Sequence, residues 1–237
     1  TLRCVITHRP GNEHEFITPN NLKKSINTGN NIIDNPDFLL FDDIIYVPTA
    51  QKEHKSLYNI LHHFTDGNCF EFTDILEEIL KNNKIRNSLI DECISLEKLI
   101  YNNTIKKKLL ISLDIKELIS TILSGYINEN HIFSYPIPNL IFTRDIAVCI
   151  GKTILITWSK KDVRKRENIL SKYIFTYYKP FMSLNVFDFH AKYPGLSIEG
   201  GDILVFDKDT ICVGISERTP LDSVEKLTSL FYKEGFK

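Results

Sequence analysis

The sequence predicts an α/β chain built on a repeated β-β-α-β unit, with three copies present, the third incomplete, and a helical domain inserted after the first. Three observations carry that prediction. Short apolar runs bounded by Gly, Pro, Asn or Asp recur along the chain and have the profile of buried strands. Stripes at helical spacing separate them in a constant order. From Thr73 to about Ile127 the strands drop out and the period is helical throughout.

In the first copy, Leu2 to Thr7 alternates as a strand and His8 to Gly11 (H-R-P-G) turns. The stretch Asn20 to Pro36, rich in Asn, Lys and Gly, reads as an exposed, mobile loop. Phe38 to Asp43 leads into a second strand over Ile44 to Val47. After a polar start at Gln51, Leu57, Ile60, Leu61 and Phe64 fall on one helix face. Asp66 to Asn68 then turns into a third strand, Cys69 to Phe72, which closes a first unit over residues 1–72.

Residues 73–135 read as the helical insertion. Ile75, Leu76, Ile79 and Leu80 mark one helix, and Leu89, Cys93, Leu96 and Ile100 another. A third carries Ile115, Leu118, Ile119, Ile122 and Leu123, with Asp114 and Glu117 placed as N-cap and N3 partner. Lys106 to Lys108 reads as a solvated helix face rather than a patch for polyanions. Proline at Tyr135-Pro136 forbids helix there and ends the insertion.

Residues 136–237 hold the second and third units. Leu140 to Phe142, Ala147 to Ile150 and Thr153 to Trp158 read as strands, with a turn at Gly151-Lys152. Val163, Leu170, Tyr173 and Ile174 give the helix, and Leu184 to Phe189 the closing strand. The third copy runs Ile203 to Phe206, Asp207 to Asp209 as turn, and Ile211 to Ile215. Its helix has Thr219 as N-cap, Pro220 at N1, and a stripe of Leu221, Val224, Leu227 and Phe231. Gly235 stops that helix and Phe236-Lys237 begins a further strand. The unfinished copy, and a Thr in first place where an initiator Met is expected, read as an N-terminal segment of a longer protein.

The chain has 237 residues, 43% hydrophobic and 25% charged, with a net charge of −1. That is an ordinary globular balance, and it argues against nucleic acid or an anionic membrane as partner, since both usually leave a basic excess. No apolar stretch approaches the ~20 residues that span a bilayer, and no basic and apolar leader precedes the first strand. Five cysteines without close pairs (Cys4, Cys69, Cys93, Cys149, Cys212) fit reduced thiols in a cytoplasmic protein, and all five read as inert core.

Four stretches place acids and arginines at the margins of apolar runs. They are P-N-L-I-F-T-R-D from Pro138 to Asp145, V-R-K-R-E from Val163 to Glu167, I-E-G-G-D from Ile198 to Asp202, and G-I-S-E-R-T from Gly214 to Thr219. The first and third read as buried strands. Guanidinium is planar and permanently charged, so a pocket for it needs carboxylates, while a ligand carboxylate needs the fork of an arginine. Each stretch also has a plainer reading. Asp145 can pair with neighbouring Arg144, Arg164 can be a solvated helix charge beside Lys165 and Arg166, Glu199 can sit in a solvated turn, and Phe142 can be core. No H-E-x-x-H, paired C-x-x-C, P-loop or G-x-G-x-x-G occurs. His62 and His63 are adjacent on a helix, point apart, and make poor joint metal ligands.

Together these four motifs, with L-R-C-V-I-T-H-R-P-G at the start, L-L-F-D-D at 39–43 and Q-K-E-H at 51–54, make the chain similar to the arginine deiminase family. The resemblance implies a pentein-like α/β propeller, a fan of five units around a pocket, of which three lie here. It implies hydrolysis of L-arginine to L-citrulline and ammonia through a covalent cysteine intermediate, with no metal and no cofactor. It assigns Asp145 and Glu199 to catalysis. It assigns Asn139, Phe142, Asp145, Arg164, Asp202 and Arg218 to substrate binding, the two arginines at the substrate carboxylate. The family's nucleophilic cysteine and catalytic histidine match no position in residues 1–237, and His190 precedes the E-G-G-D run, so it is not that histidine.

The implied partners are L-arginine and the remaining C-terminal part of the same protein, with homo-oligomer formation left open and neither nucleic acid nor membrane expected. The segment alone is expected to be inactive. A competing reading keeps the fold and makes the protein a catalytically silent arginine-binding or assembly module. A third, action on methylated arginine or agmatine, is disfavoured by the helical insertion and by the two carboxylate-binding arginines.

Overall fold

The computed structural model describes residues 2–29, 31–97, 103–233 and 235–236. The chain divides into two compact units, Thr1–Ile141 and Phe142–Lys237.

In the first unit β1 (Val5–Thr7) pairs in parallel with a strand over Cys69–Glu71, Val5 opposite Cys69. Parallel neighbours need a long crossover, and the chain between them supplies one. It contains an antiparallel hairpin, β2 (Ser25–Asn27) with β3 (Ile32–Asp34), and the helix α1 (Val47–Phe64); the strand at Cys69–Glu71 is β4. The stretch 20–36, read as an exposed, mobile loop, is largely exposed, and the hairpin adds two short strands within it. The Asn35 amide anchors it, donating to the carbonyls of Asn20 at 2.7 Å and Lys23 at 2.8 Å.

The strand expected at Ile44 to Val47 does not form, because Val47 opens α1 with Pro in its first turn, where a fixed φ and a missing N–H suit a helix start. The helix forms as its spacing predicts, but on its apolar face Leu57, Ile60 and Phe64 are exposed.

Beneath β1 and β4 lies a buried charged cluster. Glu13 Oε1 is 3.0 Å from both His8 Nε2 and His14 Nδ1, and Glu71 Oε1 is 3.5 Å from His8 Nδ1. Burial alone would lower the His8 pKa, but the hydrogen bonds and charges of Glu13 and Glu71 raise it to about 9. Burial alone would raise Glu13, and its bonds to His14 and His8 hold it well below the usual carboxylate range.

The insertion forms as α2 (Phe72–Ile79), α3 (Asn83–Ser95), α4 (Asn103–Ser112) and α5 (Ile115–Ser124). Asp114 caps α5 by accepting from the Glu117 amide, and Gly125 ends it at φ +84°. The expected stripe of α2 is buried, as is that of α5 apart from half-buried Ile115, and Leu89 and Cys93 of α3 are buried too; Ile100 lies outside the described residues. A short hairpin follows, β5 (Tyr126–Ile127) with β6 (Asn130–His131).

The second unit opens, against expectation, on helix rather than strand. A 3₁₀ turn over Pro138–Ile141 at the end of the first unit precedes the short α6 (Thr143–Ile146); Pro138 brings no N–H to a ladder. Then β7 (Ala147–Ile150), β8 (Thr153–Ile156) and β9 (Asn185–Asp188) form one sheet. The strand β8 is central, antiparallel to β7 and parallel to β9, and α7 (Asp162–Tyr177) is the crossover. Its apolar side, Ile169, Leu170, Tyr173 and Ile174, is buried, each such side chain stabilising the fold by roughly 1.5–3 kcal/mol.

After a single turn of helix, α8 (Phe189–Lys192), Ile198 pairs with Trp158 in an isolated bridge. A 3₁₀ turn over Gly200–Asp202 follows, correcting the strand expected there. The ribbon β10 (Ile203–Val205) with β11 (Ile211–Val213) and the helix α9 (Leu221–Lys233) complete the unit. A core of Val148, Ile150, Leu155, Phe189, Ile198, Ile203, Leu227 and Phe231 joins the pieces. Phe236 forms no strand and meets Phe231 edge-on at 5.7 Å; Lys237 lies outside the described residues.

Cys4, Cys149 and Cys212 are exposed, so only Cys69 and Cys93 are core. In β7 the alternation turns Cys149 outward between buried Val148 and Ile150. Cys212 lies opposite exposed Leu204 on the open face of the ribbon.

Candidate active site

The site in the second unit is assembled from four loops and helix starts. Backbone contacts fix α6 first. The Thr157 hydroxyl donates to the Asp145 carbonyl at 2.7 Å, and the Ser171 hydroxyl donates to the Ile146 carbonyl at 3.1 Å. Asn168 supports Thr157 through its amide at 3.1 Å and accepts from the Ser159 amide at 3.0 Å. The I-E-G-G-D turn lies directly against α6. A Cβ on Gly200 would sit 2.1 Å from the Arg144 carbonyl, and one on Gly201 would sit 3.0 Å from Asp145 Oδ1. That approach requires glycine at 200 and explains why no strand forms. Arg144 reaches the Ile203 carbonyl rather than Asp145, so the pairing of these two neighbours, read as an alternative in the sequence, does not occur.

The G-I-S-E-R-T turn is tied down in the same way. Ser216 Oγ accepts from the Arg218 and Thr219 amides at 3.1 and 3.0 Å and donates to Asp202 Oδ2 at 2.8 Å. Thr219, expected as a helix cap, accepts from the Glu199 amide through its hydroxyl oxygen at 3.0 Å instead. Ser197 donates to the Arg218 carbonyl at 2.8 Å, and Lys160 to the Glu217 carbonyl at 2.8 Å.

These supports bring Asp145, Arg164, Glu199 and Arg218 into one charged network. Arg164 Nη1 donates to Asp145 Oδ2 at 3.0 Å and stands 3.9 Å from Glu199 Oε2. Its Nε and Nη2 both donate to Glu167 Oε2, at 3.0 and 2.9 Å. Arg218 Nε donates to Glu199 Oε2 at 2.6 Å. The Arg164 side chain is 4% exposed, which excludes the solvated helix charge; that of Arg218 is 45% exposed. Glu199 is buried, so the solvated turn is excluded too, and its Oε1 has no hydrogen-bond partner.

Burial alone would lower the Arg164 pKa, but the charges and hydrogen bonds of Glu167 and Asp145 hold it above the ordinary arginine range. For Glu167 burial dominates, and its carboxyl is pushed up to about 7 against the pull of Arg164.

Phe142 caps α6 and is 48% exposed, so it is not core. Asn139 belongs to the first unit, where it is buried and its amide donates to the Leu39 carbonyl. The sequence reading gave no site role to Glu167 or Ser216 and read Thr219 only as a helix cap. Glu167 lies in the quoted V-R-K-R-E motif three residues after Arg164, a spacing that puts both on one helix face. His190 stacks on Trp158 with ring centres 3.8 Å apart. Among the described residues no group of three or more His, Cys, Asp or Glu is placed to hold a metal ion, and no helix is long and apolar enough to cross a membrane.

A family model described as arginine deiminase matches residues 37–127 and 95–237. The arginine deiminase of Borrelia garinii subsp. bavariensis is 32% identical over 98% of this chain and 58% of its own length. That of Streptococcus agalactiae serotype V is 34% identical over 100% of this chain and 60% of its own. The chain thus spans less than two thirds of these relatives. Among solved structures, a dimethylarginine dimethylaminohydrolase adduct with S-methyl-L-thiocitrulline is 21% identical with a TM-score of 0.33, over 42% of this chain and 37% of that one.

Proposed function

The chain belongs to the arginine deiminase family, and from that premise we propose that it forms the arginine-binding part of an enzyme hydrolysing L-arginine to L-citrulline and ammonia. What supports the reading most is the network around Glu199. Two buried or half-buried acids, Asp145 and Glu199, each hold a guanidinium nitrogen of the protein's own arginines, at 3.0 and 2.6 Å. A pocket that satisfies guanidinium internally has the donor–acceptor match to satisfy it in a ligand.

In this reading the substrate guanidinium lies against Asp145 and Glu199. Its flat charge is met by carboxylates in a desolvated setting, where such contacts are stronger than in water. Glu199 Oε1, buried and without a partner, is the acceptor left for a ligand N–H or for the proton-transferring group. Arg218 takes the substrate carboxylate, Arg164 holds Asp145 in place, Asp202 stiffens the Arg218 turn through Ser216, and Phe142 walls the guanidinium.

The cysteine nucleophile and the histidine that moves protons lie outside residues 1–237. The cysteine attacks the guanidinium carbon, ammonia leaves, and water releases citrulline from the thiol. The whole protein has the pentein-like propeller fold, in which residues 1–72 are the first repeat, 73–135 the inserted domain, and 136–237 the second and third repeats, the third incomplete. Neither metal nor cofactor takes part, and the place of work is the cytoplasm.

A citrulline assay on the full-length gene product tests this, with Asp145→Ala and Glu199→Ala alongside. Turnover by the wild type and loss in both variants is expected. Arginine binding without citrulline would select the catalytically silent module instead.

A further inference from the structure

We propose that Glu167 is a positioning residue: it grips the Nε–Nη2 edge of Arg164 and keeps that arginine fixed, so that Arg218 is the one displaced when a ligand guanidinium enters. The inference rests on the reading of the site as an arginine pocket and says which of its two arginines moves.

A guanidinium has five N–H donors in a rigid plane. For Arg164 two of them, on Nε and Nη2, go to a single oxygen of Glu167, at 3.0 and 2.9 Å. The side-chain exposures are 4% and 0%. With that edge held, the plane is set, and only Nη1 faces Asp145 and Glu199. Rotating Arg164 away would strip buried Glu167 of the stronger of the two cations acting on it, Arg166 being the weaker, and a poorly paired buried charge is strongly destabilising. Glu167 Oε1 has no hydrogen-bond partner that could compensate.

Arg218 has no such anchor. Its side chain is 45% exposed, and its ion pair is with Glu199 through Nε. It can turn into solvent and leave Glu199 in reach of another guanidinium. A ligand arginine carries the same cationic group as Arg218, so it can replace that contact donor for donor. The released Arg218 is then free for the ligand carboxylate. Glu167 itself touches no ligand and acts through Arg164.

The test uses the full-length gene product as wild type, Glu167→Gln, Glu167→Asp, Arg164→Lys, and Arg164→Lys with Glu167→Gln. Arginine affinity is measured by calorimetry, KM and kcat by citrulline formation, and folding by thermal melting. Loss of the grip is expected to raise Kd and KM for arginine roughly tenfold in Glu167→Gln, with a smaller change in kcat. Glu167→Asp, which keeps the charge on a shorter stem, is expected to recover part of the loss. In the Arg164→Lys background, Glu167→Gln should add nothing.

An unchanged KM, a loss confined to kcat, or the same tenfold loss added on top of Arg164→Lys would overturn the proposal. Should Glu167→Gln fail to fold, Glu167→Asp in the two backgrounds distinguishes the same outcomes. Arginine binding without citrulline refutes the catalytic reading while the Kd comparison still decides the role of Glu167. No arginine binding by the wild type refutes both.

Discussion

The helices α1 and α7 are both crossovers between parallel strands, yet their apolar faces meet different things. Under α7 lies a three-stranded sheet, and Ile169, Leu170, Tyr173 and Ile174 are buried. The helix α1 accompanies only the β1–β4 pair, and Leu57, Ile60 and Phe64 are exposed at 52, 54 and 70%. Three strands with an apolar face make a platform for a helix, whereas two rarely do. The charged groups differ as well. The first turns of α7 place Arg164 and Glu167 in the candidate site, while the first unit buries its charges in the His8–Glu13–His14–Glu71 cluster. Helix amphipathicity therefore says which face is apolar, and the number of strands beside it decides whether that face is covered.

The comparison can be broken most severely at Arg164. Arg164→Ala leaves Glu167 and Asp145 without their cation and is expected to destabilise the protein by about 3–5 kcal/mol, read as a shift in urea midpoint. Arg218→Ala should cost less than Arg164→Ala by the same titration, because Glu199 keeps Arg164 Nη1 at 3.9 Å.

Next comes packing. Leu170→Ala, at 0% exposure, is expected to cost about 2–5 kcal/mol. Ile60→Ala on α1 should stay within about 0.5 kcal/mol by the same titration. Equal losses at the two sites would show that the α1 face is covered after all.

Third is pH. The folded protein raises His8 from 6.5 to about 9. Its stabilisation is therefore present in full below pH 6.5 and is lost as pH rises through about 9, a term of up to about 3 kcal/mol. The raised carboxyl of Glu167 binds its proton more tightly folded than unfolded, so stability from this group is present below 4.5 and lost as pH rises to about 7. Denaturation midpoints across pH 4–9 should flatten at the upper end in His8→Gln and at the lower end in Glu167→Gln. Gly200→Ala would place a methyl against the Arg144 carbonyl. About 1–3 kcal/mol is expected, with weaker arginine binding in the full-length protein.

What could be read from the sequence, and what could not, follows the same physics. The stripes of α2, α5 and α7, the cap at Asp114 and the strands β7 to β11 were legible because local period and capping chemistry agree with the packing. The strand expected at Ile44 to Val47 failed because an apolar run of that length suits either state, and Pro48 decides for helix. P-N-L-I-F-T-R-D and I-E-G-G-D looked like strands, yet helical turns form in both, and Gly200 presses on the Arg144 carbonyl, a contact no local window contains. The acids and arginines of the site were legible as residues. The partner of each was not: Asp145 pairs with Arg164, nineteen positions on, rather than with adjacent Arg144.

A crystal structure of the full-length protein with L-arginine bound tests the account most directly. The account predicts the ligand guanidinium on Asp145 and Glu199, Arg218 turned off Glu199 towards the ligand carboxylate, and the Arg164–Glu167 contacts unchanged. Arginine bound elsewhere, or bound with Arg218 still on Glu199, would contradict it.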